Sequence, residues 1–238
     1  MRVGLLVAVI AIAACTQTPL QFGKELMSDP TVSDAPSNRF TCSTCHETDA
    51  QPTHLRPGYT LYDSTVRASW WGGYTLTWLD SVNQCVVNFM RGTPLPIDDD
   101  RSRGLYAYAR SISPDATAPG LPITIVQNIV DIPSGDASMG NTRYHDGCAK
   151  CHGEPHTGAG RLSSIVSIIP DDSLAAHGTD PVTGARPVVI EKTRHGKFFN
   201  VGGNMAPYSL EALSDAQLGD LLAYLEQFGL PPYVAPAM

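Results

Sequence analysis

Two short stretches of the chain carry one pattern: Cys42-Ser43-Thr44-Cys45-His46 and Cys148-Ala149-Lys150-Cys151-His152. Each is C-x-x-C-H, the spacing that attaches a c-type haem. Two thiols at that spacing add across the vinyl groups of one porphyrin. The histidine directly after the second cysteine is then held under the iron as its proximal ligand. Other uses of the pattern leave residues over. A redox dithiol needs no histidine behind it, twice. A zinc site drawn from both motifs leaves both histidines unexplained, and disulfides ignore them as well. The pattern predicts two covalently bound haem c groups, attached at Cys42, Cys45, Cys148 and Cys151, with His46 and His152 as iron ligands.

The chain opens MRVGLLVAVIAIAAC. Arg2 is a short positive region, and Val3 to Ala14 is an unbroken apolar run too short to remain as a membrane span, so the segment reads as an export signal. It ends Ile12-Ala13-Ala14-Cys15, similar to a bacterial lipobox, which predicts a lipid anchor at Cys15 and a place on the periplasmic side of a bacterial membrane. The alternative is an ordinary signal peptide with a chance cysteine. The formal net charge is −7, with no basic tract, so nucleic acid is excluded as a partner and redox proteins are expected instead. With 42% hydrophobic and 16% charged residues the chain is globular, and 21 glycines with 19 prolines predict short elements between many turns.

Each half is organised alike. Gly23 and Gly140 lie in short candidate helices ahead of the two motifs, where a glycine permits close approach of another helix. A helix is expected over about Asp215 to Phe228: Ser214 and Gln217 form a capping box, and Leu218, Leu221, Leu222 and Leu225 follow i, i+3, i+4, i+7. Gly229 and Pro231 stop it. The first half has a counterpart over about Arg101 to Ser111, preceded by Asp98-Asp99-Asp100, which suits a positive helix N-terminus. Pro114 bounds it. Between them, "SPDATAPGLPITIVQNIVDIPSGDAS" has linker-like ends and an apolar middle, Ile123 to Ile132, which predicts an extended strap packed on one or both halves. This arrangement resembles the class I cytochrome c domain, in which terminal helices cross beside the haem. The resemblance implies an all-α fold of two tandem domains, residues 20–112 and 136–238, joined by a strap at 113–135 and preceded by a leader and tether at 1–19. It makes Tyr108 and Tyr224 the aromatic partners of Gly23 and Gly140.

Haem iron in electron carriers takes a second axial ligand. In the second half Met205, in "GGNMAPYSLEALSD", stands in a Gly/Pro-containing loop before the last helix, the position of the ligand methionine in class I cytochromes. A buried core methionine is the plainer reading; His195 and Lys197 are lesser candidates. The first half has no such loop. There Trp78, Val82, Cys85 and Phe89 fall on one stripe of a helix, which turns Cys85 toward the apolar core. Met90, five residues on, lies about 140° around the same helix at 100° per residue, so the two are alternatives. A buried free cysteine is also a common small hydrophobe. Cys85 follows His46 by 39 residues (85 − 46).

A chain with two haem motifs, a cysteine about 40 residues behind the first and a methionine-type second domain resembles the thiosulfate dehydrogenases and the related sulfur-oxidation cytochromes. The resemblance implies Cys85 as distal ligand of the first haem, where sulfur chemistry takes place, and Met205 as that of the second. An anionic thiolate lowers a haem's potential and methionine raises it, so electrons would run from the first haem to the second. Every permanently charged base between Ala50 and Arg110 is an arginine: Arg56, Arg67, Arg91, Arg101, Arg103 and Arg110. Some are expected to pair with haem propionates, and a site for a small sulfur oxyanion is the more specific reading. Three functions remain open: an electron carrier, an enzyme joining two thiosulfates to tetrathionate, and a dihaem peroxidase, whose motif surroundings are similar but whose chains are longer.

Overall fold

The computed structural model describes residues 17–199 and 203–235. Cys15 and the segment expected to be an export signal lie outside the described residues. Nine α-helices and several single turns make up the regular structure of the described residues, with no strand beyond two isolated bridges.

The first half contains α1 (Pro19–Leu26), α2 (Cys42–Cys45), α3 (Trp78–Asn88) and α4 (Asp100–Ser111). Thr18 caps α1 through a reciprocal capping box with Gln21, and Pro19 supplies the first helical residue, where its missing N–H costs nothing. Asp99 caps α4 by accepting from the Arg101 amide. α1 and α4 cross at Gly23 and Gly104. A Cβ on Gly23 would lie 1.8 Å from the Gly104 carbonyl oxygen, so only glycine allows the two backbones to touch. Tyr108 stands one helical turn beyond that contact and packs against the core with Leu26, Met27, Val32, Val86, Met90, Leu95 and Leu105.

The second half contains α5 (Ala137–Arg143), α6 (Ala149–His152), α7 (Asp171–His177), α8 (Ala185–His195) and α9 (Asp215–Glu226). The capping box of Ser214 and Gln217 opens α9. The crossing of α5 on α9 repeats the first: a Cβ on Gly140 would lie 1.9 Å from the Asp220 carbonyl oxygen and 2.8 Å from the Tyr224 Cβ. Asp220 and Tyr224 are thus placed as Gly104 and Tyr108 are in the first half. Between α5 and α6 the chain makes a π-helical turn, Tyr144–Cys148, that leads into the second motif. One-turn π segments inside α-helices occur often at functional sites.

Residues 113–135 bond to both halves. The Ala68 amide donates to the Ala118 carbonyl and the Ala118 amide to that of Val66. Thr124 is held by Glu211, and Ile132 is buried in the second core. Two arginines of α8 are almost wholly enclosed. Arg186 reaches Asp131 at 2.8 Å, Glu226 at 2.7 Å and the carbonyls of Ile132 and Pro231. Arg194 reaches Asp215 at 2.6 Å and the Leu213 carbonyl at 2.5 Å. Their planar, multi-donor heads gather carbonyls and carboxylates from elements distant in sequence.

Candidate haem sites

α2 places Cys42 and Cys45 one turn apart, and the chain then leaves the helix at His46, which caps it in an extended conformation. The His46 imidazole is oriented from two sides. Its Nδ1 lies 2.6 Å from the Tyr59 carbonyl oxygen, and it rests against Gly58, where an added Cβ would fall 2.3 Å from the ring Cε1. A donor Nδ1–H on a carbonyl fixes the tautomer and leaves Nε2 as a free lone pair, the arrangement a metal-binding histidine needs. Burial pushes the His46 pKa down, favouring the neutral ligand form; the Tyr59 carbonyl opposes this, and the nearby Arg67 charge adds to it.

Cys42, Cys45 and His46 face a cavity of about 390 Å³. Its first-half lining is mostly apolar or aromatic: Met27, Phe40, Leu61, Trp70, Trp78, Val82, Phe89 and Leu105 among others. Cys85 and Met90 both line it. α3 ends at Asn88, and the chain turns sharply at Arg91, whose φ is +59°, with the Gly92 amide returning to the Val86 carbonyl. Met90 has therefore left the helix, and the 140° separation expected of one continuous helix does not apply. Met90 is only 4% exposed. Burial pushes the Cys42 thiol up to about 11 and the Cys85 thiol up to about 12, with the neighbouring Cys42 adding to the latter; Cys45 is raised too, by burial first and then by Cys85 and Cys151. An apolar chamber holding two attachment thiols, an oriented imidazole and further sulfur donors fits a covalent haem. Buried sulfur is there as thiol or thioether, and iron would draw off the Cys85 proton on binding it.

Two of the six arginines noted above reach this cavity. Arg67 donates to the carbonyls of Thr60 and Tyr62. Arg56 is 9% exposed, and its Nε is buried without a hydrogen-bond partner. Arg101 and Arg103 are paired with Asp99 and Asp100, and Arg110 donates to the Ser113 carbonyl.

In the second half the π turn and α6 present Cys148, Cys151 and His152. The His152 Nδ1 lies 2.8 Å from the Ser167 carbonyl oxygen, repeating the Tyr59 device, and burial lowers its pKa against that bond. Burial raises both thiols, Cys148 to about 12. Met205 packs partly buried against the second core, and its carbonyl accepts from the Lys197 amide at 2.8 Å. His195 is 5% exposed. Its Nε2 is bonded to the Val126 carbonyl at 2.8 Å, and its ring stacks on Phe199 at 4.1 Å, so it faces the segment 113–135.

The second half contributes to the first site. Phe198, Ala206, Pro207, Ser209, Glu211 and Ala212, all from the second half, wall the first-half cavity. The residues next to Met205 thus line the chamber of the other motif. Sequence reasoning missed this, as it missed Tyr59 and Ser167, which act through main-chain carbonyls that no residue type announces.

An oriented, buried imidazole beside paired thiols on an all-helical frame defines a c-type cytochrome. Residues 135–225 match the family model described as cytochrome c oxidase, cbb3-type, subunit III. Residues 135–225 thus carry a cytochrome c domain, and a domain of that kind implies covalent haem c and a part in electron transfer. Among solved structures it is similar to thiosulfate dehydrogenase (TsdBA) from Marichromatium purpuratum in its as-isolated form, with 16% identity and a TM-score of 0.40 over 87% of this chain and 45% of that one. The chain spans less than half the length of that protein. No curated protein sequence matches it.

Proposed function

We propose that the chain is an exported dihaem cytochrome that passes electrons between redox partner proteins on the periplasmic side of a bacterial membrane. One haem c sits at each motif. Residues 20–112 and 136–238 are the two domains, 113–135 is the strap between them, and Cys15 carries a lipid anchor. The observation that carries this reading is the repeated orientation of the motif histidines, each with Nδ1 on a main-chain carbonyl of its own half: His46 on Tyr59 and His152 on Ser167. Bound haem supplies one-electron exchange at iron. The chain's own residues orient the imidazoles, exclude water with apolar walls, and offer Met205 in the second half and Cys85 or Met90 in the first as sixth ligands. Intact mass of the purified protein tests it: two added tetrapyrroles are expected, and one on replacing Cys148 and Cys151 by serine. A wild-type mass with a single haem overturns it.

A second reading, thiosulfate oxidation at the first haem, draws on the placement of Cys85 in one cavity with His46. Two thiosulfate anions would join through a new S–S bond to give tetrathionate, and the two electrons released would leave by way of the second haem to an external acceptor. The buried, unpartnered Arg56 Nε in the cavity wall suits an anion. Ferric protein should then be reduced by thiosulfate within turnover time, and Cys85→Ala should remove one low-spin species from the EPR spectrum. An unchanged spectrum removes the basis for this reading and leaves the carrier standing.

A further inference from the structure

The stretch His54–Tyr59 touches both motifs. At its far end it holds the first: the Gly58 amide donates to the Cys45 carbonyl at 3.0 Å, and the Tyr59 carbonyl receives the His46 Nδ1. At its near end it holds the second, through one residue of the π turn. The Asp146 carboxylate lies 2.6 Å from the His54 Nδ1 and accepts the Leu55 amide at 2.5 Å, and the Asp146 carbonyl accepts from the Arg56 Nη1. Arg56 also lies 3.9 Å from the carboxylate. Leu55 packs on Gly147, where a Cβ would fall 2.7 Å from its Cδ2. Asp146 stands two residues before Cys148.

We propose that His54–Tyr59 is a strut that sets the spacing and mutual orientation of the two haems, with Asp146 as its anchoring residue in the second half. The inference rests on the dihaem reading above. Asp146 is a positioning residue: it touches neither haem iron nor a reacting atom, and it acts through Leu55, Arg56 and the π turn. A carboxylate suits the task because it accepts from a ring nitrogen and a main-chain amide at once. Electron exchange between two bound groups falls with their separation and changes with their mutual orientation, so a displacement of one motif relative to the other is read in the rate.

The test uses the full-length, haem-loaded protein as wild type, Asp146→Ala, Asp146→Glu and His54→Ala. Three readouts are taken: the inter-haem electron-transfer rate after flash reduction, the magnetic interaction between the haems by EPR relaxation, and hydrogen exchange at residues 54–59 and 144–148. In Asp146→Ala the rate should fall roughly tenfold or more and the magnetic interaction should weaken, while the optical spectrum of each haem stays unchanged. The Leu55 amide should lose protection. Asp146→Glu should recover part of the rate, and His54→Ala, which leaves the Leu55 and Arg56 bonds in place, should fall between. A residue with a merely structural role would lower the unfolding temperature and leave the rate of the folded protein alone. Unchanged rate and relaxation in a protein of dihaem mass overturn the strut and spare the dihaem reading. A mass with fewer than two haems overturns both, and a failure of Asp146→Ala to fold leaves His54→Ala, whose exposed side chain is removable, to decide.

Discussion

The two helix crossings are built to one plan and secured differently. At the first, Gly23 meets Gly104 backbone to backbone. At the second, Gly140 meets Asp220, whose carboxylate also accepts from the Asp136 amide at 2.8 Å and from Arg143 at 3.0 Å. Behind the second crossing lie the enclosed Arg186 and Arg194; behind the first lies the cavity, part of whose wall the second half supplies. The second half is thus cross-linked around two fully enclosed arginines. The first is held by apolar packing and by its neighbour, which supplies part of its cavity wall. An open chamber leaves less room for a side-chain network, and the partner half replaces what the chamber forgoes.

If buried charge is what sets the halves apart, the largest loss should come from Arg186→Leu. It strands Asp131 and Glu226 and unhooks the end of the strap, and breaking such a buried pair costs about 3–5 kcal/mol. Denaturant unfolding should show the loss in the second half first. The crossings test the shared plan: Gly23→Ala and Gly140→Ala each force two backbones apart, at about 1–3 kcal/mol for overpacking. Equal losses would mean the second crossing's carboxylate adds nothing locally; a larger loss at Gly140 would sharpen the contrast. Next comes Phe198, whose ring lies 5.6 Å from Trp71 and 5.9 Å from Phe89 across the boundary between halves. Phe198→Ala should cost about 1 kcal/mol and speed binding of imidazole or cyanide at the first haem, measured optically, with the second haem unaffected. An equal change at both haems would refute the view that the second half closes the first-half chamber.

What could be read from the sequence was local. The motif spacing, the capping box at Ser214 and Gln217, the leucine stripe of α9 and the glycines at both crossings each declare themselves within a few residues. The end of α3 was within reach too: Gly92 and Pro94 are breakers, and they release Met90 from the helix into the cavity that Cys85 also faces. The pairing of His54 with Asp146, about ninety positions apart, has no local signature. Arg186 and Arg194 look from sequence like the polar face of α8, because nothing nearby reveals that Asp131, Glu226 and Asp215 converge on them. Tyr59 and Ser167 orient the motif histidines through carbonyls, a group every residue has.

The smallest effect probes how the strap itself is tied. Glu211 accepts from the Thr124 amide at 2.9 Å and from its hydroxyl at 2.6 Å, and it lies in the wall of the first-half cavity. Desolvation pushes its pKa up, but the Thr124 side chain and amide, its own amide and Ser209 together outweigh that and hold the carboxyl at about 2, below its usual 4.5. A carboxylate depressed on folding stabilises the fold fully above its unfolded pKa, and that contribution fades as pH falls from 4.5 through 2. Glu211→Gln keeps one acceptor and loses the other. At neutral pH it should cost about 0.5–1 kcal/mol, small because the site is solvent-screened. Wild type and variant should converge in stability as the pH approaches 2, followed by denaturant titration at each pH. A gap that persists undiminished into acid would mean that Thr124 is held by packing of the strap and not by this carboxylate, and the first half's dependence on its neighbour would then rest on apolar contact alone.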